Sequence, residues 1–228
     1  MPTCVEVGEY FDEIMDALVE SGIYSSKAEV VRDALRRLLE TIDMRLVGLR
    51  AYQRGSTLWR ALRISGVGFE EFLSFMLASG VAPEIGCREA PAPPPTSLYV
   101  IDPIGVEVLG RLGVLEHLSS RLVLPVELEP IVRRVEALIG VHLDVRFERI
   151  AGVRSLVRKL GVTLEEAAVL ALAAKHGILA ACDPRLGARS GGAGVKRVVC
   201  CYALLRLVDE SVWRPRFELL PFPVPRMG

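Results

Sequence analysis

Two acidic residues stand at the ends of apolar runs, and they are the side chains in this sequence best placed to do chemistry. Asp102 follows Leu98-Tyr99-Val100-Ile101, and Asp183 follows Ile178-Leu179-Ala180-Ala181-Cys182. Apolar runs of this kind are typical of buried parallel strands. The ligand site of a parallel sheet lies beyond the carboxyl ends of its strands. We therefore expect Asp102 and Asp183 to point into the same crevice.

A third acid, Glu166, lies in the first turn of the helix before the Asp183 strand, from where it can reach the same edge. Carboxylates gathered in one place repel one another unless cations neutralise them. Hard divalent ions, Mg²⁺ or Mn²⁺, prefer such oxygen ligands. These ions lower the pKa of bound water and stabilise an in-line attack on phosphorus. The pattern therefore predicts a divalent-metal site that can support attack on phosphorus.

Two of these acids also have a purely structural interpretation. Thr163-Leu164-Glu165-Glu166 is a capping box, in which Glu166 satisfies a free backbone donor at the start of a helix. Asp183 stands before Pro184 and can act simply as the first residue of a turn. Both interpretations stay open at this point.

Strand and helix patterns alternate from residue 98 to residue 208, which indicates an α/β domain with an open, mostly parallel sheet flanked by helices. The individual predictions are a helix in GVEVLGRLGVLEHL, a strand at Leu122-Val123-Leu124 closed by Pro125, a helix over 126–140, a half-exposed edge strand from Val141 to Glu148, a helix from Thr163 to Lys175 and a strand at Val198-Val199-Cys200-Cys201.

Residues 98–208 resemble the PIN-domain superfamily, through Val100-Ile101-Asp102, Leu109 to Leu115, Leu164 to Ala173 and Cys182 to Leu186. The resemblance implies a divalent-metal-dependent ribonuclease with an RNA substrate, in which Asp102, Glu166 and Asp183 hold Mg²⁺ or Mn²⁺. It also implies a fourth catalytic acid after the second strand, for which Glu129 is preferred to Glu127. One position departs from the family: Pro103 replaces the small hydroxyl residue that usually follows the first aspartate.

A basic, glycine-rich stretch, RLGARSGGAGVKR, follows Asp183 and contains Arg185, Arg189, Lys196 and Arg197. Such a loop beside an acidic site can hold a phosphate backbone. The alternative is a mobile surface loop without a ligand.

The first 43 residues predict a strand, a helix, a turn and a second helix. Thr3, Val5 and Val7 alternate with Cys4 and Glu6, and Phe11, Ile14 and Leu18 then recur at helical spacing up to Ser21-Gly22. Ser26-Lys27-Ala28-Glu29 is a capping box. The helix that follows has an apolar face consisting of Val30, Val31, Ala34, Leu35, Leu38 and Leu39.

This segment resembles ribbon-helix-helix antitoxins, through VEV and FDEIMDALVESGIYSSKAEVVRDALRRLLE. The resemblance implies a homodimer or higher homo-oligomer in which strands from two chains pair and their outward side chains contact DNA. Here the outward residues are Cys4 and Glu6, and a carboxylate is repelled by phosphates. The dimer therefore follows more directly than the DNA contact.

Residues 44–88 predict a helical segment that contains five arginines and no acid up to residue 69. Thr57 can cap a helix, Ala61 allows close packing and Gly66 allows a tight turn. The segment resembles the helix-turn-helix of small antitoxins, which makes Arg60 and Arg63 the candidate DNA contacts. The alternative is a packing module with a solvated arginine face.

The remaining features set the boundaries. EAPAPPPTS, residues 89–97, is a proline-rich linker, and residues 209–228 form a tail rich in proline, arginine and aromatic residues.

The five cysteines form no CxxC, so neither a zinc site nor a disulfide framework is expected. No apolar run reaches the ~20 residues of a membrane helix, and the first residues do not resemble a signal peptide. We expect a soluble, cytoplasmic protein without a membrane partner.

Two functions from different classes remain. The first is a toxin–antitoxin-like fusion whose PIN domain cleaves RNA. The second is a dimeric DNA-binding transcriptional regulator whose PIN domain is catalytically degenerate, which Pro103 and the unsettled fourth acid favour.

Overall fold

The computed structural model describes residues 8–87, 93–94, 97–217 and 220. The chain divides into two compact units, Met1–Met44 and Arg45–Gly228. The predicted strand with Cys4 and Glu6, most of the proline-rich linker and the end of the tail lie outside the described residues.

The described part of the first unit contains two helices, α1 (Glu9–Glu20) and α2 (Lys27–Thr41), as the periodicity predicts. Lys27 joins them, because its Nζ lies 2.8 Å from a carboxylate oxygen of both Asp12 and Asp16. Ser26 caps α2 by accepting a hydrogen bond from the Glu29 N–H. The Glu29 carboxylate reaches Ser25 rather than Ser26, because both the N–H and the hydroxyl of Ser25 donate to it.

Apolar side chains on the first unit stay exposed to solvent. On α2 the exposed fractions are 53% for Leu35, 53% for Leu38 and 52% for Leu39. Tyr10 and Phe11 of α1 are more than half exposed as well. The predicted apolar face therefore exists, but the two helices of one chain leave it uncovered.

The second unit begins with three short helices, α3 (Met44–Gln53), α4 (Leu58–Ser65) and α5 (Phe69–Ala78). Thr57 caps α4 and Gly66 ends it with a φ of 71°, as the sequence indicates. Gly48 lets α3 approach α4 closely, since a Cβ at this position would lie 2.5 Å from the Ala61 carbonyl oxygen.

Five short strands follow, and all their pairings are parallel. They are β1 (Val100–Ile101), β2 (Val123–Pro125), β3 (Arg146–Glu148), β4 (Ile178–Ala181) and β5 (Arg197–Cys200). One sheet has the order β1-β4-β5 and the other pairs β2 with β3. A parallel bridge between Tyr99 and Leu122 connects the two sheets. The strands thus run β3-β2-β1-β4-β5, and the order changes direction between β1 and β4.

Seven helices accompany these strands in the described part of the second unit. They are α6 (Pro103–Arg111), α7 (Leu115–Leu118), α8 (Glu129–Ile139), α9 (Val153–Leu160), α10 (Leu164–His176), α11 (Pro184–Arg189) and α12 (Glu210–Phe217). None of the helices in the described ranges is long and apolar enough to cross a membrane.

Three elements differ from the sequence prediction. GVEVLGRLGVLEHL is two helices, α6 and α7, because the chain turns at Gly113 with a φ of 73°. The predicted strand from Val141 to Glu148 pairs only over its last three residues. Helix α9 was not predicted. It begins after Gly152, which has a φ of 78°.

The core of the second unit includes α4 and α5 as well as the sheet. Leu58, Phe72 and Met76 are fully buried in the same apolar cluster as Tyr99 and Ile101 of the first strand region. The segment 45–87 is therefore built into the α/β unit rather than attached beside it.

Candidate functional site

Asp102 lies at the end of β1 and begins α6, and its carboxylate is held by backbone donors. Oδ1 accepts hydrogen bonds from the N–H groups of Gly105 and Cys182, each at 2.9 Å. Oδ2 accepts from the Asp183 N–H at 2.8 Å. Pro103 fits the first helical position, where a missing N–H costs nothing. Asp102 thus fastens the start of α6 to the end of β4.

Asp183 lies at the end of β4 and begins α11. Its Oδ1 accepts from the Arg185 N–H at 2.9 Å, and its Oδ2 accepts from the Leu58 N–H at 2.6 Å. The second contact joins the sheet edge to the first residue of α4. The predicted convergence of Asp102 and Asp183 is therefore present in the described structure.

Glu166 joins the same cluster from the start of α10. Its Oε2 accepts from the Thr163 N–H at 2.8 Å, while its own N–H donates to the Thr163 hydroxyl. The capping-box interpretation is thus confirmed. The other oxygen, Oε1, is buried and has no hydrogen-bond partner. Glu166 therefore has a structural role and still leaves one oxygen unused.

The three carboxyls are sealed from solvent, with exposed fractions of 0%, 0% and 1% for Asp102, Glu166 and Asp183. Burial raises the pKa of Asp102 to about 7 and that of Glu166 to about 7. Burial raises the pKa of Asp183 as well. A buried carboxyl favours its neutral form because the ion loses its hydration.

The amino end of α4 covers this cluster. Leu58 donates its N–H to Asp183, and burial raises the pKa of Glu166 while the neighbouring Thr57 side chain partly opposes that rise. A helix amino terminus carries free N–H groups and a partial positive charge, which suits it to acidic side chains. Helix α4 therefore takes the place at the sheet edge that a ligand would otherwise use.

Arg185 and Arg189 hold this cover in place. The Arg185 guanidinium lies 3.8 Å from the centre of the Tyr52 ring, 3.0 Å from the Ser56 carbonyl oxygen and 3.1 Å from the Glu84 carboxylate. Arg189 donates to the Gly55 carbonyl oxygen at 2.7 Å. Arg185, predicted to contact nucleic acid, is thus turned inward in this structure.

The other predicted nucleic-acid residues remain at the surface. Arg60 donates to the Gly161 carbonyl oxygen at 2.6 Å, and Arg63 lies 3.6 Å from the Glu165 carboxylate. Lys196 and Arg197 are exposed. Arg60 and Arg63 therefore contact the α9–α10 region of the same unit, and their proposed DNA contacts stay a prediction.

A divalent cation does not fit the cluster as it stands. Three backbone N–H groups occupy most of the accepting capacity of Asp102, since a carboxylate has about four lone-pair sites. Across the described ranges, no group of three or more histidine, cysteine, aspartate or glutamate side chains could hold a metal ion. Glu129, the preferred fourth acid, lies half exposed on α8 and pairs with Arg133 at 3.5 Å.

Two disulfides adjoin the cluster, and here the sequence prediction was wrong. Cys182, whose N–H contacts Asp102, pairs with Cys201, and Cys87 pairs with Cys200. The Cα atoms are 5.1 Å and 6.0 Å apart, within the range of ordinary disulfides. The two cysteines of each disulfide are far apart in sequence, by 19 residues for Cys182–Cys201 and by 113 for Cys87–Cys200. CxxC spacing cannot reveal pairs of this kind, because only the sheet brings them together.

The fold is thus an α/β unit with parallel strands and a closed acidic cluster, preceded by a two-helix unit with an uncovered apolar face. Residues 2–57 match the family model of the bacterial antitoxin of the ParD type II toxin–antitoxin system and ribbon-helix-helix (RHH) proteins. The N-terminal part of the chain is therefore antitoxin-like.

A curated relative supports the same assignment. Antitoxin ParD of Vibrio cholerae serotype O1 is 44% identical over 48 residues, which cover 21% of this chain and 59% of the relative. The chain thus spans less than two thirds of that relative's length. No solved structure matches the chain. The family match ends at Thr57, so it includes the first residues of the second unit and stops before α4 and all of the strands.

Proposed function

We propose that this chain is a dimeric, DNA-binding regulator of the antitoxin type whose α/β unit serves assembly rather than catalysis. The observation that carries the proposal is the exposed apolar face of α2, which lies inside the antitoxin-like residues 2–57. Leu35, Leu38 and Leu39 are each about half exposed. A second copy of the segment would bury this face, as ribbon-helix-helix proteins do.

The closed acidic cluster supports the non-catalytic part of this proposal. All three carboxyls are removed from solvent, and α4 lies over them with its amino end. A substrate phosphate could not approach Asp183 unless the Leu58 N–H contact were broken. The same contacts give the acids a structural purpose. Asp102 and Asp183 connect the starts of α4, α6 and α11 to the end of β4, and Glu166 caps the start of α10.

The test is binding of the full chain to the DNA directly upstream of its own gene, in the presence of excess unrelated competitor DNA. Leu35→Asp combined with Leu38→Asp places charges on the apolar face and should convert the dimer to a monomer. We expect the specific affinity to fall by roughly 100-fold, since half of the paired DNA contacts are lost. Fluorescence anisotropy and light scattering measure the two effects.

The control is Glu40→Ala, an exposed position on the same helix. It should leave both the molecular mass and the affinity unchanged. A double variant that stays dimeric, or a monomer that binds the upstream DNA as tightly as the dimer, would refute the proposal.

A metal-dependent ribonuclease is the second candidate, and one observation favours it. Three acids from β1, α10 and β4 converge where the strand order changes direction, which is the usual ligand crevice of such sheets. Glu166 Oε1 is buried there without a partner. This function, in a PIN-like unit with Mg²⁺ or Mn²⁺ and an RNA substrate, requires α4 to move away from Asp183 first.

A further inference from the structure

Basic residues are concentrated in three stretches that contain no aspartate or glutamate. Residues 44–69 contain five, residues 149–164 contain four and residues 184–208 contain five. Together these stretches hold half of the 28 basic residues of a chain whose net charge is zero. The positive charge is therefore segregated along the sequence, and its position in space decides whether it forms a surface.

Direct contacts bring the three stretches together in the second unit. Arg60 of the first stretch reaches the Gly161 carbonyl oxygen of the second at 2.6 Å. Lys159 of the second reaches the Gly192 carbonyl oxygen of the third at 2.9 Å. Arg189 of the third reaches the Gly55 carbonyl oxygen of the first at 2.7 Å. The three acid-free stretches are thus neighbours in the folded unit.

The basic surface consists of eight of the basic side chains on these stretches. All but Arg189, which is partly buried, are exposed. They are Arg54, Arg60, Arg154, Arg158, Lys159, Arg189, Lys196 and Arg197. Arg154 and Arg158 are four residues apart on α9 and therefore lie on the same side of that helix. Glu165, the acid that follows the second stretch, is paired with Arg63.

We propose that the basic surface binds the phosphate backbone of double-stranded nucleic acid. Clustered arginine and lysine release counterions from a duplex and bind it without regard to sequence. Single strands need exposed aromatic rings on which bases can stack. The aromatic residues of the three stretches are all buried, with exposed fractions of 2% for Tyr52, 3% for Trp59, 4% for Phe69 and 0% for Tyr202.

This surface goes beyond the proposed function, since it lies on the second unit and needs no particular sequence. Its binding mode is backbone contact alone, whereas the first unit is proposed to bind the DNA upstream of the gene specifically.

The test uses the full chain and measures its affinity for short DNA duplexes of arbitrary sequence over a range of salt concentrations. The variant is Arg158→Ala with Lys196→Ala and Arg197→Ala, all at exposed positions. Each lost phosphate contact lowers the slope of log affinity against log salt by about 0.9. We expect a slope lower by about 3 and an affinity at least roughly tenfold weaker.

The matched control is Arg133→Ala with Arg146→Ala and Arg214→Ala, which removes the same charge from exposed positions outside the three stretches. Its slope should equal that of the unmodified chain. Arg158→Ala and Lys196→Ala alone should each lower the slope by about 1, so the result does not depend on the stability of the triple variant.

Two further arms identify the ligand. Duplex RNA should bind through the same surface, and single-stranded RNA of the same length should bind more weakly. The proposal would be overturned if the triple variant of the basic surface and the control triple variant lost the same affinity and salt dependence. Tighter binding of single-stranded RNA than of duplex RNA would overturn it as well. The variant that combines Leu35→Asp with Leu38→Asp should still bind duplexes of arbitrary sequence through the basic surface. Loss of specific binding to the upstream DNA in this variant therefore tests the proposed function and leaves the basic surface unaffected.

Discussion

The three buried carboxyls show what single residues contribute. Asp102, Asp183 and Glu166 were predictable as a group, because strand-end acids on parallel strands converge. The long-range backbone donors that hold Asp102 and Asp183 were not predictable. They include Cys182, whose N–H reaches Asp102 Oδ1 from 80 residues away, and Leu58, which is 125 residues away from Asp183 in sequence. Contacts of that range follow from tertiary structure and leave no local pattern.

The raised pKa values of Asp102 and Glu166 make the free energy of unfolding depend on pH. The folded chain binds these protons more tightly than the unfolded chain, whose carboxyls titrate near pH 4. Stability from this source is therefore complete below pH 4 and falls as pH rises towards about 7. Each carboxyl contributes up to about 1.4 kcal/mol per pH unit over that window.

Glu166→Gln tests this dependence, because an amide can replace the unpartnered Oε1 with little rearrangement. Urea unfolding at pH 5 and pH 8 should show a smaller loss of stability for the variant than for the unmodified chain. Glu129→Gln, at an exposed position, should lose as much stability between pH 5 and pH 8 as the unmodified chain. Identical pH dependence in all three proteins would mean that Glu166 is ionised in the folded chain.

At the scale of elements, the two disulfides fasten the ends of β4 and β5 to neighbouring segments. Cys87 ties residues 81–87 to the end of β5, and Cys182 ties the end of β4 to the turn at Cys201. Gly86 adds a hydrogen bond from its N–H to the Cys182 carbonyl oxygen at 2.6 Å. These covalent links stabilise the same edge of the sheet that α4 covers.

Cys87→Ser should lower the free energy of unfolding by about 2–4 kcal/mol, because the lost link closes a long loop in the unfolded chain. Urea unfolding without reductant measures the change. Cys4→Ser, which alters the one cysteine outside both pairs, is the control and should have no effect. Blocking thiols in the denatured, unreduced chain should modify one cysteine, and modification of all five would contradict the pairing.

Other elements show where sequence patterns are sufficient. The caps at Ser26, Thr57 and Thr163 were predicted from one side chain and a few neighbours, and the structure confirms each of them. Helix α9 was missed because its eight residues follow a glycine rather than a capping side chain. Its signal was electrostatic instead: three basic residues and no acid, in one of the three stretches that form the basic surface.

At the scale of the whole molecule, the chain combines an antitoxin-like unit with an α/β unit whose acidic cluster is closed. The sequence indicated both parts and their order. It did not indicate that residues 45–87 share the core of the α/β unit, because that depends on Leu58, Phe72 and Met76 packing against a sheet that begins at residue 100. Amphipathic spacing shows that a face is buried but does not identify what buries it.

The most direct test of a regulator as against a nuclease is an RNA cleavage assay with the full chain and Mn²⁺. The account predicts no cleavage above that of Asp183→Asn, because Asp183 is covered by α4 and Asp102 is saturated with backbone donors. Mn²⁺-dependent cleavage by the unmodified chain that is lost in Asp183→Asn would contradict it. That result would assign catalysis to the acidic cluster.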